Sequence, residues 1–200
     1  MSSVEATSPY SLICANKDAE SIAAVRTTIL LGLQKSGLAY IAGGDILGQV
    51  KAVLANTGKT SAPMAVNAAL AILGEVVCTG KSGLEFLTVP LLPLVLERLA
   101  VDKDKDLLIS AAATSASIVA SVSEAGLPAA LEALYDCLIS KTRKWQTRVA
   151  ALNLIGELAR IHATAMPKQL PSATPRVSEC MGDVRAEVSA AAFSALSAIS

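Results

Sequence analysis

The densest group of positive charges in the sequence is the octapeptide 141–148, Lys-Thr-Arg-Lys-Trp-Gln-Thr-Arg, with four basic residues and the chain's only tryptophan. Closely spaced ammonium and guanidinium groups suit contact with RNA phosphates or with an acidic protein face. The alternative is a solvated basic turn, in which Trp145 packs on a neighbouring repeat; we favour this packing role for Trp145. We predict partner contacts for seven basic residues of this and equivalent turns: Lys103, Lys105, Lys141, Arg143, Lys144, Arg148 and Arg185.

Two Gly-Lys-Ser/Thr strings could suggest nucleotide binding. In 74–82, five residues separate the glycines, whereas a P-loop needs four, and the string follows a helical pattern instead of a strand. The second string, 58–60, has Val53 where the first glycine should be. Helix C-cap glycines followed by solvated lysines explain both strings better.

Other reactive side chains form no catalytic or metal-binding pattern. His162 is the only histidine and has no nucleophile elbow, so we interpret it as a residue near the last carbonyls of a helix. Asp102, Asp104 and Asp106 lack the central glycine and further ligands of a calcium loop. We expect the four cysteines, which include no CxxC pair, to be buried or half-buried free thiols in a reducing compartment. We therefore expect no catalytic residue, cofactor or metal.

Four similar apolar segments recur about every forty residues. They start at Asn67, Leu107, Val149 and Val188, at intervals of 40, 42 and 39 residues. A second helical pattern precedes each segment, at about 44–56, 84–99, 128–140 and 167–181. Short polar turns join the two patterns, at 57–62, 102–106, 141–144 and 182–185.

Two helices per period of about forty residues are typical of HEAT and armadillo repeats, because one helix pair cannot bury its apolar face alone. We predict an all-α, HEAT/armadillo-like, right-handed superhelical solenoid of antiparallel helix pairs. Residues 1–40 form a degenerate N-terminal helical cap in this prediction, followed by repeats at 41–80, 81–125, 126–164 and 165–200. No polar capping repeat follows the Ala-rich last helix, so we expect a fragment or a solenoid that continues.

Composition narrows the class of protein. Hydrophobic residues make up 52% of the chain and aromatic residues only 3%, which favours closely packed helices. The formal net charge of +0 argues against nucleic-acid binding through the electrostatic field of the whole protein, but a local basic patch is compatible with it. We find no signal peptide and no uninterrupted apolar stretch of about 20 residues, so we expect a soluble, cytoplasmic protein.

Two stretches carry a family resemblance. Residues 144–152, Lys-Trp-Gln-x-x-Val-Ala-x-Leu, and 166–192, Met-Pro-x-x-Leu-x-x-x-x-Pro-x-Val-Ser-Glu-x-Met-x-Asp-x-x-x-Glu-Val-x-x-Ala-Ala, resemble the HEAT region of the elongation factor 3 family. Residues 102–106 and 117–119 are similar to the preceding repeat of that family. The resemblance runs from about 43 to 200, and Gly182 departs from it, since the family usually has tryptophan before the aspartate at Asp183.

The resemblance implies a ribosome-bound translation factor. Members are ABC-type ATPases that couple ATP turnover to late translocation and to release of deacylated tRNA. Their HEAT domain binds ribosomal RNA and ribosomal proteins. The sequence has neither a P-loop nor an LSGGQ string, so the resemblance implies the non-catalytic, ribosome-docking part alone, without a membrane or small-molecule partner. Two alternatives remain, namely a protein-only HEAT scaffold and the HEAT segment of the ribosome-bound activator of a starvation-response kinase.

Overall fold

A computed structural model describes residues 19–37, 39–41, 45–56, 63–101, 104–139 and 143–200, and the regular structure in these ranges is helical. The α-helices are α1 (Ala19–Ser36), α2 (Ile46–Ala55), α3 (Pro63–Gly80), α4 (Glu85–Thr88), α5 (Leu92–Val101), α6 (Lys105–Ser121), α7 (Leu127–Tyr135), α8 (Trp145–Ile161), α9 (Leu170–Glu179) and α10 (Ala186–Ile199). Residues 39–41 are also helical. Short 3₁₀ helices lie at Lys81–Leu84, Val89–Leu91, Met166–Gln169 and Cys180–Gly182.

The helices form two layers. In one layer, α1, α3, α6, α8 and α10 pack side by side in chain order. In the other layer, α2 packs on α5, and α5 packs on α7. The helix that precedes each of α3, α6, α8 and α10 packs on it across a short connection. This stacking of antiparallel pairs confirms the predicted all-α, HEAT-type class.

The first helices of the pairs are less regular than the sequence predicts. We predicted one helix over 84–99, but the chain passes through α4 and the 3₁₀ helix Val89–Leu91 before α5 begins. Pro90 and Pro93 explain the break, because proline has no amide hydrogen and crowds the preceding turn. We interpreted Gly80 as a helix C-cap, but its backbone is helical, and the positive φ, 46°, is at Lys81.

Three of the four second helices, α3, α8 and α10, begin directly after the predicted turns. Asp104 caps α6, since its carboxylate accepts hydrogen bonds from the amides of Asp106, at 2.9 Å, and Leu107, at 3.5 Å. The helix therefore begins at Lys105, inside the predicted turn 102–106. An N-terminal aspartate also interacts favourably with the helix dipole.

Small and polar side chains join neighbouring second helices. A Cβ atom at Gly156 of α8 would lie 3.6 Å from the Cα of Ala195 in α10, so the two backbones approach closely. On α6, Ser110 donates to the side-chain oxygen of Asn67 at 2.7 Å, and Thr114 donates to the carbonyl of Leu70 at 3.1 Å. The hydroxyls of Ser110 and Thr114 are thus hydrogen-bonded between α3 and α6 instead of buried without partners.

An arginine ties the first two pairs together. Arg98 of α5 is 1% exposed, and its Nη2 donates to the carbonyls of Val53, Leu54 and Asn56 at 2.7–2.9 Å. These carbonyls lie at the C-terminal end of α2, where helical carbonyls have no partner within the helix. We predicted no role for Arg98 from the sequence.

One helical run, Pro63–Ala100, is long and apolar enough to cross a membrane by length and composition. This differs from the sequence analysis, which considered only uninterrupted apolar stretches. Half of its apolar window is buried inside the protein, as in the core helices of a repeat array.

Candidate partner-binding surface

The described basic residues of the predicted site lie along one edge of the solenoid. Lys105 is the first residue of α6, Lys144 directly precedes α8, and Arg185 directly precedes α10. These helices start 40 and 41 residues apart, so the three cations occupy equivalent places in successive repeats. We call Lys105, Arg143, Lys144, Arg148 and Arg185 the basic edge. Lys103 and Lys141 lie outside the described residues.

Two cations of the basic edge reach back to α5. The guanidinium of Arg143 forms an ion pair with Glu97, with the two side chains 24% and 28% exposed. Lys144 donates from Nζ to the carbonyl of Ala100 at 3.3 Å, and the residue stays exposed. Both contacts hold the turn before α8 against the preceding repeat.

Arg148 reaches forward to the next repeat. It forms an ion pair with Asp183, and only 10% and 11% of the two side chains are exposed. The other oxygen of Asp183 accepts a hydrogen bond from the backbone amide of Arg185 at 2.9 Å, which fixes the turn before α10. The Nε atom of Arg148 is buried and has no hydrogen-bond partner among the described residues. The charge of Arg148 is therefore balanced within the protein.

Trp145 and Arg185 contact each other across the same pair of repeats. Trp145 is half-buried against the core, in agreement with the packing role that we favoured. The Cζ atom of Arg185 lies 5.7 Å from the centre of the indole ring, close enough for a cation–π interaction. At Gly182, a Cβ atom would meet nothing within 4 Å, so the turn is open on that side.

A groove of about 950 Å³ adjoins the basic edge between α7 and α9. Its lining includes Ile139, 56% exposed, and Val184, 100% exposed. On its wall, Arg176 pairs with Glu132 at 2.7 Å and lies 4.6 Å from the centre of the Tyr135 ring. Burial raises the pKa of Tyr135, although Ser172 and Arg176 oppose the shift. The groove is of mixed charge, with apolar side chains that face solvent.

The buried thiols are poor nucleophiles. Burial raises the pKa of Cys137 to about 12, and burial also raises the pKa of Cys180 against the opposing charge of Arg148. Since the thiolate is the reactive form, neither side chain is activated. Cys78 is exposed, which corrects our expectation that the cysteines are at least half-buried. Cys14 lies outside the described residues.

The other reactive residues do not form a site. His162 is buried next to the C-terminal end of α8, and its Nε2 has no hydrogen-bond partner in the part of the chain that the structure describes. Gly74 and Gly80 are helical residues of α3, so they form no phosphate-binding loop. The other string, 58–60, lies outside the described residues. No metal-binding group of three or more His, Cys, Asp or Glu occurs in the described ranges.

The family model for the EF3 N-terminal HEAT repeat matches residues 22–196. The chain belongs to this family. Elongation factor 3 of Phytophthora infestans (strain T30-4) is 35% identical to it over 103 residues, which are 52% of this chain and 10% of that protein. Elongation factor 3A of Saccharomyces cerevisiae (strain ATCC 204508 / S288c) is 33% identical over 97 residues, 48% of this chain and 9% of that protein.

This member of the EF3 HEAT family therefore spans about a tenth of the length of these relatives. Among solved structures, a designed armadillo repeat protein aligns with 96% of this chain and 100% of its own at 14% identity, with a TM-score of 0.37. This similarity is too low to carry the fold assignment, which depends on the helix pairing and the family match.

The acidic partners of the basic edge were not predicted from the sequence. Glu97 precedes Arg143 by 46 residues, and Asp183 follows Arg148 by 35 residues. Both separations are close to one repeat, so the forty-residue period was the signal that could have paired them. We treated the cations only as a surface for a partner, whereas Arg143 and Arg148 also form ion pairs with neighbouring repeats.

Proposed function

We propose that this chain is the ribosome-docking HEAT segment of an elongation-factor-3-like translation factor. The observation that carries the proposal is the family match over residues 22–196. Relatives named elongation factor 3, at 33–35% identity, support a role in translation. In this proposal the chain is non-catalytic and works in the cytoplasm. It is one segment of a longer protein, whose ATPase activity belongs to other parts.

The basic edge supplies the contacts in this proposal. Lys105, Lys144 and Arg185 are exposed, and Arg143 is half-buried beside them. When cations of a protein bind the phosphates of RNA, the counterions of the RNA are released, and this release favours binding. Such binding therefore weakens as the salt concentration rises. Arg148 has a different role, because its ion pair with Asp183 positions the turn that carries Arg185.

The internal contacts of the basic edge favour this use. Lys144 is held at the Ala100 carbonyl and Arg185 over Trp145, so their positions are largely set before a partner arrives. Side chains that are already ordered lose less conformational entropy on binding. Both contacts are at the surface, and they leave hydrogen-bond donors of each cation free for phosphate oxygens.

The proposal can be tested by reversing exposed charges. The double variant Lys144→Glu/Arg185→Glu should lower ribosome co-sedimentation about tenfold or more at low salt and reduce the slope of log affinity against log salt by about 2. Lys51→Glu/Lys168→Glu is the matched control, since both lysines are exposed, lie away from the basic edge and give the same change in net charge. Equal binding by the two double variants would remove the basic edge from the interface.

A protein-only scaffold is the second candidate. Two observations favour it, namely the net charge of +0 and the internal neutralisation of Arg143 by Glu97 and Arg148 by Asp183. A scaffold of this kind would keep its partners after nuclease treatment, whereas ribosomal RNA contacts would be lost. Pull-downs from cell extract with and without nuclease distinguish the two candidates.

A further inference from the structure

An apolar groove lies between the first helices of the second and third pairs. It has a volume of about 630 Å³. One wall consists of Phe86, Pro90 and Pro93, and the other is the surface of α7, where Ala129 and Ala133 lie. Phe86 is 69% exposed, which is costly for a large aromatic side chain without a partner.

The charged side chains that line this groove, which we call the Phe86 groove, are all acidic. Its charged lining residues are Glu85, Glu132 and Asp136, and no lysine or arginine lines it. Glu132 is paired with Arg176, but both side chains are largely exposed, at 59% and 44%. Asp136 directly follows α7, where the negative end of the helix dipole disfavours a carboxylate. Its position therefore does not serve the stability of the helix.

The carboxylate of Glu85 is held in place by neutral groups. It accepts hydrogen bonds from the backbone amide of Ser123 at 2.7 Å and from the Ser123 hydroxyl at 2.8 Å. A Cβ atom at position 126 would lie 2.4 Å from a Glu85 oxygen, so Gly126 leaves the space that this carboxylate needs. Neutral donors fix the position of a negative charge without cancelling it.

We propose that the Phe86 groove binds a protein segment that carries a large apolar side chain flanked by lysine or arginine. The apolar side chain would pack between Phe86 and the alanines of α7, and the flanking cations would meet Glu85, Glu132 and Asp136. Small residues such as Ala129 and Ala133 let the backbone of a bound helix or strand come close. Charge complementarity selects a cationic segment over an acidic one.

A synthetic probe tests the proposal on the 200-residue chain. The probe is a fluorescent amphipathic peptide of about 14 residues, composed of Leu, Ala and Lys with one Trp, and its control has Glu in place of every Lys. Fluorescence anisotropy should show saturable binding of the Lys peptide that weakens with salt, and at least about tenfold weaker binding of the Glu peptide.

The chain offers matched control variants. Phe86→Ser should weaken binding of the Lys peptide about tenfold, since exposed aromatic anchors dominate such interfaces. The control is Phe193→Ser, at the chain's other phenylalanine. Phe193 is 64% exposed in the unmutated protein, and its substitution should change the affinity for the Lys peptide less than about twofold. Asp136→Lys should weaken binding about fivefold and flatten its salt dependence, whereas Glu75→Lys, on exposed α3 surface, should not.

Three results would overturn the proposal. They are equal losses in Phe86→Ser and Phe193→Ser, equal binding of the Lys and Glu peptides, and self-association of the chain that disappears in Phe86→Ser. Sedimentation velocity detects the last of these, in which a second copy covers the groove. Ribosome docking is tested with other variants, at the basic edge. Failure of peptide binding at the Phe86 groove would therefore not contradict ribosome docking, and failure of ribosome docking would not contradict peptide binding.

Discussion

Arg98 and Arg148 both join neighbouring repeats, yet they do so with different acceptors and at different depths. Arg98 is 1% exposed and donates to three backbone carbonyls at the end of α2. Arg148 is 8% exposed and pairs with the carboxylate of Asp183 at the basic edge. Carbonyls in the interior need a donor because water cannot reach them, whereas a carboxylate near the edge can be partly hydrated.

The comparison separates an arginine of the interior from one at the basic edge, which is the surface that we propose for docking. Arg98 is 1% exposed, so it offers almost no surface to a partner. The contact of Arg148 fixes Asp183, which orients the amide of Arg185 and so the turn that exposes this cation. We infer that repeat junctions at the basic edge organise the docking surface, whereas the first junction only stabilises the array.

The largest expected effect is at the first junction. Arg98→Met should lower the free energy of unfolding by about 3 kcal/mol, because the carbonyls of Val53, Leu54 and Asn56 lose a charged donor. Urea denaturation measures the change, and Arg160→Met, at an exposed position of α8, is the control with an expected change within about 0.5 kcal/mol. Similar losses in the two variants would contradict an interior role for Arg98.

The second junction should be weaker and should couple to the surface. Arg148→Met should lower the free energy of unfolding by about 2 kcal/mol, since it leaves the Asp183 carboxylate without its ion pair. A double-mutant cycle with Asp183→Asn should give a coupling energy of about 1–2 kcal/mol, because asparagine keeps an acceptor for the Arg185 amide. Additive effects would mean that the two side chains do not interact in solution.

Thiol labelling measures how often the structure around each buried cysteine opens, and so tests whether the Arg148 junction opens locally. At pH 8, Cys137 and Cys180 should react with a maleimide at least about 100-fold more slowly than exposed Cys78, because burial raises the pKa of both thiols. Arg148→Met should speed the labelling of Cys180 more than that of Cys137, because more frequent local opening near position 148 outweighs the loss of a charge that lowers the pKa of Cys180. Peptide mapping by mass spectrometry resolves each site; uniform acceleration would indicate global instead of local opening.

The smallest expected effect is at a site outside both junctions. Lys81 has a φ of 46°, a left-handed conformation that glycine adopts at lower cost. Lys81→Gly should therefore raise the free energy of unfolding by about 0.5–1 kcal/mol. Thermal unfolding measures the change, and Ser82→Gly, at the neighbouring exposed residue, should be neutral or destabilising. A loss of stability in Lys81→Gly would show that this backbone conformation is not populated.

The forty-residue period made the helix pairs predictable, because apolar spacing within a helix is a local property of the sequence. The break in the predicted helix 84–99 was harder to place, since Pro90 and Pro93 disrupt a helix without fixing where the next turn resumes. The partners of Arg143 and Arg148 depend on contacts between repeats, which local patterns do not encode. The Phe86 groove likewise needs the relative placement of α4, α5 and α7.

The central claim is that this segment docks on the ribosome, and co-sedimentation of the 200-residue chain with purified ribosomes across a salt series tests it most directly. The account predicts saturable binding at about 50 mM salt that falls steeply by about 200 mM, as expected for contacts between exposed cations and phosphates. Absence of saturable binding at the lowest salt concentration would contradict the claim and favour the protein-only scaffold.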